Sequence, residues 1–241
     1  MLPRVDKSAA KTQRMGDIAA LMAVTEFFSD GTLGHYAQFA NLAVGGWGWC
    51  ALDSDGQLIG AIYGTLEGDE QTVPRAELRA ILSILETVPY GAKIVIRVDA
   101  SYLLGFRNDP EAKCRSDNGD MWLECWRLIV SKNIDLSVVK IARSHASDAM
   151  VQAGIVSLRD KTGNDHADRF AELGAALTLP DPEQISATMR TYESARYIQL
   201  RLADATHIQL TRSGTRPRAT PPAAVVNLRL PDPPRQWNAH A

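Results

Sequence analysis

Three cysteines in 241 residues, Cys50, Cys114 and Cys125, are too few and too irregularly spaced for a disulfide framework or a paired-cysteine zinc site. The chain must therefore draw its stability from an apolar core. It also lacks any apolar run near the ~20 residues needed to cross a bilayer. Its opening, MLPRVDKSAAKTQRM, has no apolar signal core. A soluble, intracellular protein is expected, nuclear or cytoplasmic alike, with no membrane partner. Strong charge of one sign is missing as well: the formal net charge is −2, which argues against a globally basic nucleic-acid binder. Only the end is basic, with five Arg and one Asp after Ala205. No internal repeat occurs. What is present is 45% apolar residues, enough for one sizeable folded domain with flanking segments.

Four acidic residues stand out by where they fall. Asp30 closes AVTEFFSD, whose aromatic and β-branched residues favour a strand. Asp99 follows KIVIRV, a run apolar enough for a central strand. Glu77 lies in TVPRAELRAILSILETV, early in a helix with Pro74 near its first position. Asp168 lies in GNDHADRFAELGAAL, read as the second turn of a helix. Helical spacing places Glu77 with Ala80, Ile81 and Ile84, and Asp168 with Ala171 and Ala175. A carboxylate on an apolar face is costly unless a charge neutralises it. Two strand ends and two helix starts meeting at one sheet edge thus predict a metal-binding cluster. Taken singly, Asp30 passes for a turn residue before Gly31, Glu77 for a helix-start residue and Asp99 for a cap. Asp165 is read as the capping partner of Thr162 in a T-x-x-D arrangement, and His166 as a solvent-facing helix residue.

Around these acids the chain reads as follows. Residues 1–22 are taken as an N-terminal tail with no function. The Asp30 strand, GWGWCALD and QLIGAIYGTL form an antiparallel meander, the last two joined through a turn at Asp55 and Gly56. A helix over 74–88, a strand over 93–98, a short helical stretch over 101–106, a loop over 107–118, a helix over 120–131 and a strand over 135–141 follow. Trp47, Trp49, Trp122 and Trp126 fall at core positions. Residues 146–162 are expected to be a long loop, functional or mobile. An accessory helix is expected within 179–206. Residues 207–241, with six prolines from Pro217 to Pro234, read as a disordered Pro/Arg-containing tail. The right-handed return of a parallel crossover sets the fourth strand beside the first, bringing Asp99 to Asp30.

SDGT with the later GGWGW, TVPRAELRA, VDASYLL, SHA and GNDHADRFAELGA, in that order over residues 24–177, resemble type I ribonuclease H, including the domains attached to retroelement reverse transcriptases. The resemblance implies an α/β, ribonuclease H-like fold over residues 23–178: a five-stranded mixed sheet, an antiparallel three-strand meander plus parallel strands, flanked by helices. It implies a metal-dependent endoribonuclease that hydrolyses the RNA strand of RNA/DNA hybrids. Two Mg²⁺ ions, for which Mn²⁺ substitutes, would be held by Asp30, Glu77, Asp99 and Asp168. Within that scheme Asp30 bridges both ions, Asp99 and Asp168 serve the ion that activates water, and Glu77 serves the leaving-group ion. His145 matches a mobile-loop histidine that shuttles a proton or assists product departure. Thr72 and Arg75 match positions that grip the nucleic-acid backbone, with Val73 where asparagine is often found. The implied partners are an RNA/DNA hybrid and a tethered reverse transcriptase domain. Two other readings stand beside this one: a superfamily nuclease acting on DNA, and a non-catalytic nucleic-acid-binding or structural domain of a retroelement polyprotein. TVPRAEL and GNDHAD favour hybrid cleavage over the first, and four intact carboxylates oppose the second.

Overall fold

The computed structural model describes residues 2, 4–105, 108–143 and 145–212. The described residues form two compact units, Val5–Leu179 and a second made of residues 2 and 4 with 180–212. In the larger unit the elements run β1 (Thr12–Gly16), α1 (Ile18–Ala23), β2 (Glu26–Thr32), β3 (Gly46–Leu52), β4 (Leu58–Thr65), α2 (Val73–Thr87) and β5 (Lys93–Val98). A single 3₁₀ turn at Ser101–Leu103 leads to α3 (Pro110–Cys114), α4 (Gly119–Ser131), β6 (Asp135–Lys140), α5 (Asp148–Gln152) and α6 (Leu158–Ala176). The strands form one mixed sheet in the order β1-β4-β3-β2-β5-β6. Pairing is antiparallel from β1 to β2 and parallel from β2 through β5 to β6. The expected meander and its parallel extension are therefore present, with β5 beside β2.

The sheet has six strands and not five, because residues 12–16 pair with β4 along its outer edge. All five residues of β1 are exposed, so TQRMG shows no buried apolar alternation, and main-chain pairing ties it to β4. Lys11 and Thr65 extend that pairing, each backbone N–H finding an oxygen of the other residue at 2.8–2.9 Å. Residues 5–22 thus belong to the folded unit and are not a tail. Asp17 starts α1 by accepting from the backbone N–H groups of Ala19 and Ala20.

Strand alternation sends side chains to two layers. Phe27, Trp47, Trp49, Ile94, Ile96 and Val98 face α2 and α4, where they bury Leu78, Ile81, Ile84, Leu85, Trp122 and Ile129. Each fully buried Leu or Ile contributes about 2 kcal/mol. The indole of Trp49 donates to Ser83 Oγ at 3.0 Å, and that of Trp47 to the Thr65 carbonyl at 3.0 Å, so both rings are buried with their N–H groups satisfied. On the other side Phe28, Cys50 and Ala61 pack against Ala167 and Phe170 of α6.

Helix α6 lies close on the sheet because β3 opposes it with glycine. A Cβ on Gly46 would sit 2.1 Å from the Ala171 carbonyl oxygen and 2.2 Å from the Ala175 nitrogen. Both obstacles are backbone, so no rotamer change relieves them. Gly46→Ala is expected to destabilise the chain by about 3 kcal/mol, read as a lower denaturation midpoint; an unchanged midpoint would show that α6 can lift off at no cost. The first turn of α6 is tied down by charge. Arg159 donates to Glu26 at 2.6 Å and to the carbonyls of Asp53 and Leu52 at 2.6 and 3.1 Å. Arg97 reaches Glu26 at 2.6 Å and Asp160 at 2.9 Å. Burial pushes against ionisation of Glu26, but the two guanidinium groups prevail and hold its carboxyl below the usual range.

Residues 146–162 are not a long loop. Ser147 caps α5 through the Met150 N–H, and Ser157 caps α6 through the Asp160 N–H at 2.9 Å, so Thr162 lies inside the helix. Asp165 caps nothing and instead accepts from Lys161 at 2.7 Å. The 107–118 segment likewise contains α3, capped by Asp109. In the smaller unit α7 (Pro182–Arg212) replaces the shorter helix expected within 179–206. Its start is a reciprocal cap, with Asp181 Oδ1 accepting from Glu183 N–H and Gln184 Oε1 from Asp181 N–H. Of the tail expected over 207–241, residues up to Arg212 belong to this helix, and residues 213–241 lie outside the described residues.

Candidate metal centre

The parallel register of β2 and β5 runs from Glu26 with Val95 to Phe28 with Arg97, and Asp30 and Asp99 each lie two residues beyond that last pair. Phe28 and Arg97 reach the α6 side, and the two acids lie two positions on from them, just past the last residues paired between the two strands. Glu77 reaches the same point from α2. Thr72 caps that helix by accepting from Arg75 N–H at 3.3 Å, and Pro74 sits in its first turn. What allows the close approach is Gly31: a Cβ there would fall 2.3 Å from the backbone nitrogen of Glu77 and 2.6 Å from the Ala76 carbonyl carbon. The dipeptide Asp30-Gly31 thus supplies a carboxylate and the gap through which the second carboxylate arrives.

Asp30, Glu77 and Asp99 each offer an oxygen, and these oxygens lie within 4.8 Å of one another. Asp30 and Glu77 are buried, with 8% and 7% of their surface accessible. Burial first, then the charge of Asp99, pushes the Asp30 carboxyl up to about 8, against the 2.7 Å hydrogen bond it accepts from Gly31 N–H. Burial likewise takes Glu77 up to about 7, opposed by a hydrogen bond from Tyr102 and assisted by Asp99. Asp30 and Glu77, held above their ordinary range and crowded with Asp99, are what a divalent cation would discharge, and the donors are all hard carboxylate oxygens with no sulfur or imidazole in the group. The residues present therefore fit Mg²⁺ or Mn²⁺.

Asp168 does not join this three-acid group. Because α6 begins at Leu158, Asp168 sits in the middle of its helix and not near its start, with its side chain about a third exposed. It is nonetheless electrostatically linked: its charge raises Asp30, and it is itself raised, first by burial, then, against the pull of His145, by Asp165 and Asp99. His145 is exposed and stands 3.7 Å from Asp168 through Nδ1, too long for a hydrogen bond and within ion-pair reach once the ring is protonated. Its backbone is left-handed, at φ 51°, a conformation that histidine adopts more readily than most side chains. Glu172, one turn beyond Asp168, is raised by burial and then by Asp168, so the helix adds a second acid near His145.

Thr72 and Arg75 are engaged within the protein. Thr72 is the α2 cap, and Arg75 holds Asp120 through two bonds of 3.0 and 2.6 Å, with Asn118 at 3.3 Å and Glu70 at 3.3 Å. His166 is partly buried against Phe170, with ring centroids 6.3 Å apart, and burial lowers its pKa. The residue that sequence reasoning missed is Tyr102, whose hydroxyl donates to Glu77 Oε2 and lies 3.1 Å from the Pro74 carbonyl oxygen. Its position three residues after Asp99, in the segment that turns back over α2, was the available signal.

No protein-family model and no curated protein sequence matches the chain. Solved structures do. RNase H1 from the halophilic archaeon Halobacterium salinarum NRC-1 aligns at 16% identity over 62% of this chain and 95% of its own, with a TM-score of 0.40. LC11-RNase H1 in complex with RNA/DNA hybrid aligns at 14% identity over 63% and 96%, with a TM-score of 0.44. The PFV RNase H domain aligns at 15% identity over 63% and 94%, with a TM-score of 0.48. At this distance the weight of any functional reading falls on the site. No helix among the described residues is long and apolar enough to cross a membrane.

Proposed function

We propose that the chain is a metal-dependent endoribonuclease that hydrolyses the RNA strand of RNA/DNA hybrids. The observation that carries this reading is the convergence of Asp30, Glu77 and Asp99 at the ends of β2 and β5, with Asp168 and His145 beside them. Motif order supports the substrate class, since TVPRAEL and GNDHAD resemble hybrid-cleaving ribonucleases. Asp30, Glu77, Asp99 and Asp168 would hold two Mg²⁺ ions, or Mn²⁺ in their place. Bound there, the ions supply charge compensation for the scissile phosphate, an acidified water and stabilisation of the leaving oxygen.

The remaining chemistry belongs to side chains. The buried pair Asp30 and Glu77 keeps bulk water from competing for the oxygens at the floor of the site. Asp168, more open to solvent, faces the entry side with His145, whose ring can take or return a proton at Nδ1 beside that carboxylate. Because Arg75 is engaged by Asp120, grip on the hybrid falls to other basic residues or to a tethered domain such as a reverse transcriptase. The 2′-hydroxyl of the RNA strand is the group by which cleavage of RNA is told from cleavage of DNA.

The test is incubation of the purified chain with end-labelled RNA/DNA hybrid, double-stranded RNA and duplex DNA, with Mg²⁺ and with chelator. Cutting is expected only in the RNA strand of the hybrid and only with metal. Metal-dependent cutting of duplex DNA would reassign the chain to DNA-acting nucleases, and no cutting of any substrate would leave it a binding or structural domain.

A further inference from the structure

The metal-site reading accounts for the acids but leaves Tyr102 without a task. Its ring is partly buried against the α2 and α4 core, while its hydroxyl stands clear of that core among polar atoms. That hydroxyl donates to Glu77 Oε2 and lies 3.1 Å from the Pro74 carbonyl oxygen in the first turn of the same helix. The tyrosine backbone is itself anchored: Lys113 Nζ donates to the Tyr102 carbonyl at 2.5 Å, and the same ammonium lies 5.2 Å from the Trp122 ring centroid. Tyr102 also follows Asp99 by one short turn. One brief segment thus delivers a carboxylate from β5 and a clamp on the carboxylate from α2.

We propose that Tyr102 is a positioning residue of the metal centre, its hydroxyl fixing one oxygen of Glu77 so that the other is presented beside Asp30 and Asp99. This inference rests on the metal-site reading of the preceding section. A glutamate side chain has three torsions and, unrestrained, samples several rotamers. Holding one oxygen to a hydroxyl that is itself pinned leaves a single arrangement in which the second oxygen meets the two aspartates. Partners that orient a ligand in this way are worth as much to metal affinity as many direct contacts. A purely structural tyrosine would need only its ring, and the ring alone survives in Tyr102→Phe.

The experiment uses the full chain and two readouts. Calorimetric titration with Mn²⁺, without nucleic acid, is expected to give a dissociation constant about tenfold weaker in Tyr102→Phe than in the wild type. The Mg²⁺ concentration for half-maximal cleavage of labelled hybrid is expected to rise in parallel, with KM for hybrid at saturating metal unchanged. In a Glu77→Gln background, Tyr102→Phe is expected to add no further loss of Mn²⁺ affinity. Unchanged Mn²⁺ binding in Tyr102→Phe overturns the inference. So does additivity with Glu77→Gln, or a raised KM at saturating metal with intact Mn²⁺ binding, which would make Tyr102 a substrate contact. Loss of the cooperative thermal transition in Tyr102→Phe would assign the residue to the scaffold and overturn it equally. A wild-type chain that binds no Mn²⁺ and cuts no hybrid removes the proposed function itself, whereas a wild type that does both while Tyr102→Phe matches it removes only the role of Tyr102.

Discussion

Asp30→Asn is expected to lower hybrid cleavage by about 10³-fold or more while leaving the fold intact and the metal-free chain more resistant to heat at pH 8. The two halves of this result have one cause. Asparagine matches aspartate in volume, and its amide oxygen can still accept from Gly31 N–H, as Asp30 Oδ1 does at 2.7 Å. Packing around β2 therefore survives. What disappears is a negative charge in a buried position beside Asp99, Asp168 and Glu77, each of which raises the carboxyl of Asp30. In the absence of cation that charge is a burden on the folded state, and its removal is stabilising. In its presence the same charge is a ligand, and its removal empties the centre. Cleavage rates and thermal melts in chelator, measured on one preparation, check both halves. Activity within tenfold of the wild type would dismiss Asp30 as the central ligand.

The second large effect is a stability that falls with rising pH and is restored by metal. In the folded chain Asp30 and Glu77 keep their protons up to about 8 and about 7, against ordinary values of 3.8 and 4.5. Between those limits the folded state binds more protons than the unfolded state, so stability declines as pH rises. The contribution of these two groups is whole below their unfolded values and gone once pH passes their folded ones. Glu26, lowered by Arg159 and Arg97 against its burial, behaves oppositely, but its contribution is lost only as pH falls below the ordinary carboxylate range. His166, lowered by burial from 6.5, also works in the opposite sense, below that value. The cleanest window therefore runs from pH 6.5 to 8.5.

Across that window the melting temperature of the metal-free chain is expected to drop. At a Mn²⁺ concentration about a hundredfold above its dissociation constant the gain is ~2.7 kcal/mol, which corresponds to roughly 5–10 °C for a unit of this size. The same addition at pH 5, where Asp30 and Glu77 are protonated, is expected to do little. Melts at the two pH values with Mn²⁺ and with chelator decide the matter. A melting temperature that ignores both pH and cation would mean that the three acids do not share a charge burden.

Much of this arrangement was legible in the sequence. Asp30 and Asp99 were readable because each ends a run with a plain strand pattern, and a parallel crossover leaves few places for the second strand. Glu77 was readable because Pro74 and the spacing of Leu78, Ile81 and Leu85 fix the start and inner face of α2. Other features were hidden for specific reasons. The start of α6 was missed because Gly163 and Asn164 look like a helix break, while the cap, Ser157 accepting from Asp160 N–H, lies five residues before Thr162. That shift moved Asp168 from the second turn to mid-helix. That Arg75 bonds Asp120, 45 positions away, was not readable, because nothing local reveals that acid. Tyr102 was hidden because SYLL reads as part of a short helical stretch, and the polar end of a tyrosine shows its partner only in three dimensions.

The outermost strand has a practical side. A fragment begun at residue 23, where the motifs begin, would strip β1 from β4 and leave the main-chain donors and acceptors of Ile59, Ala61, Tyr63 and Thr65 bare along that border. Such a border is a template for self-association between copies. The five exposed residues of TQRMG, chemically plain as they are, act as a hem that keeps the sheet from fraying into its neighbours.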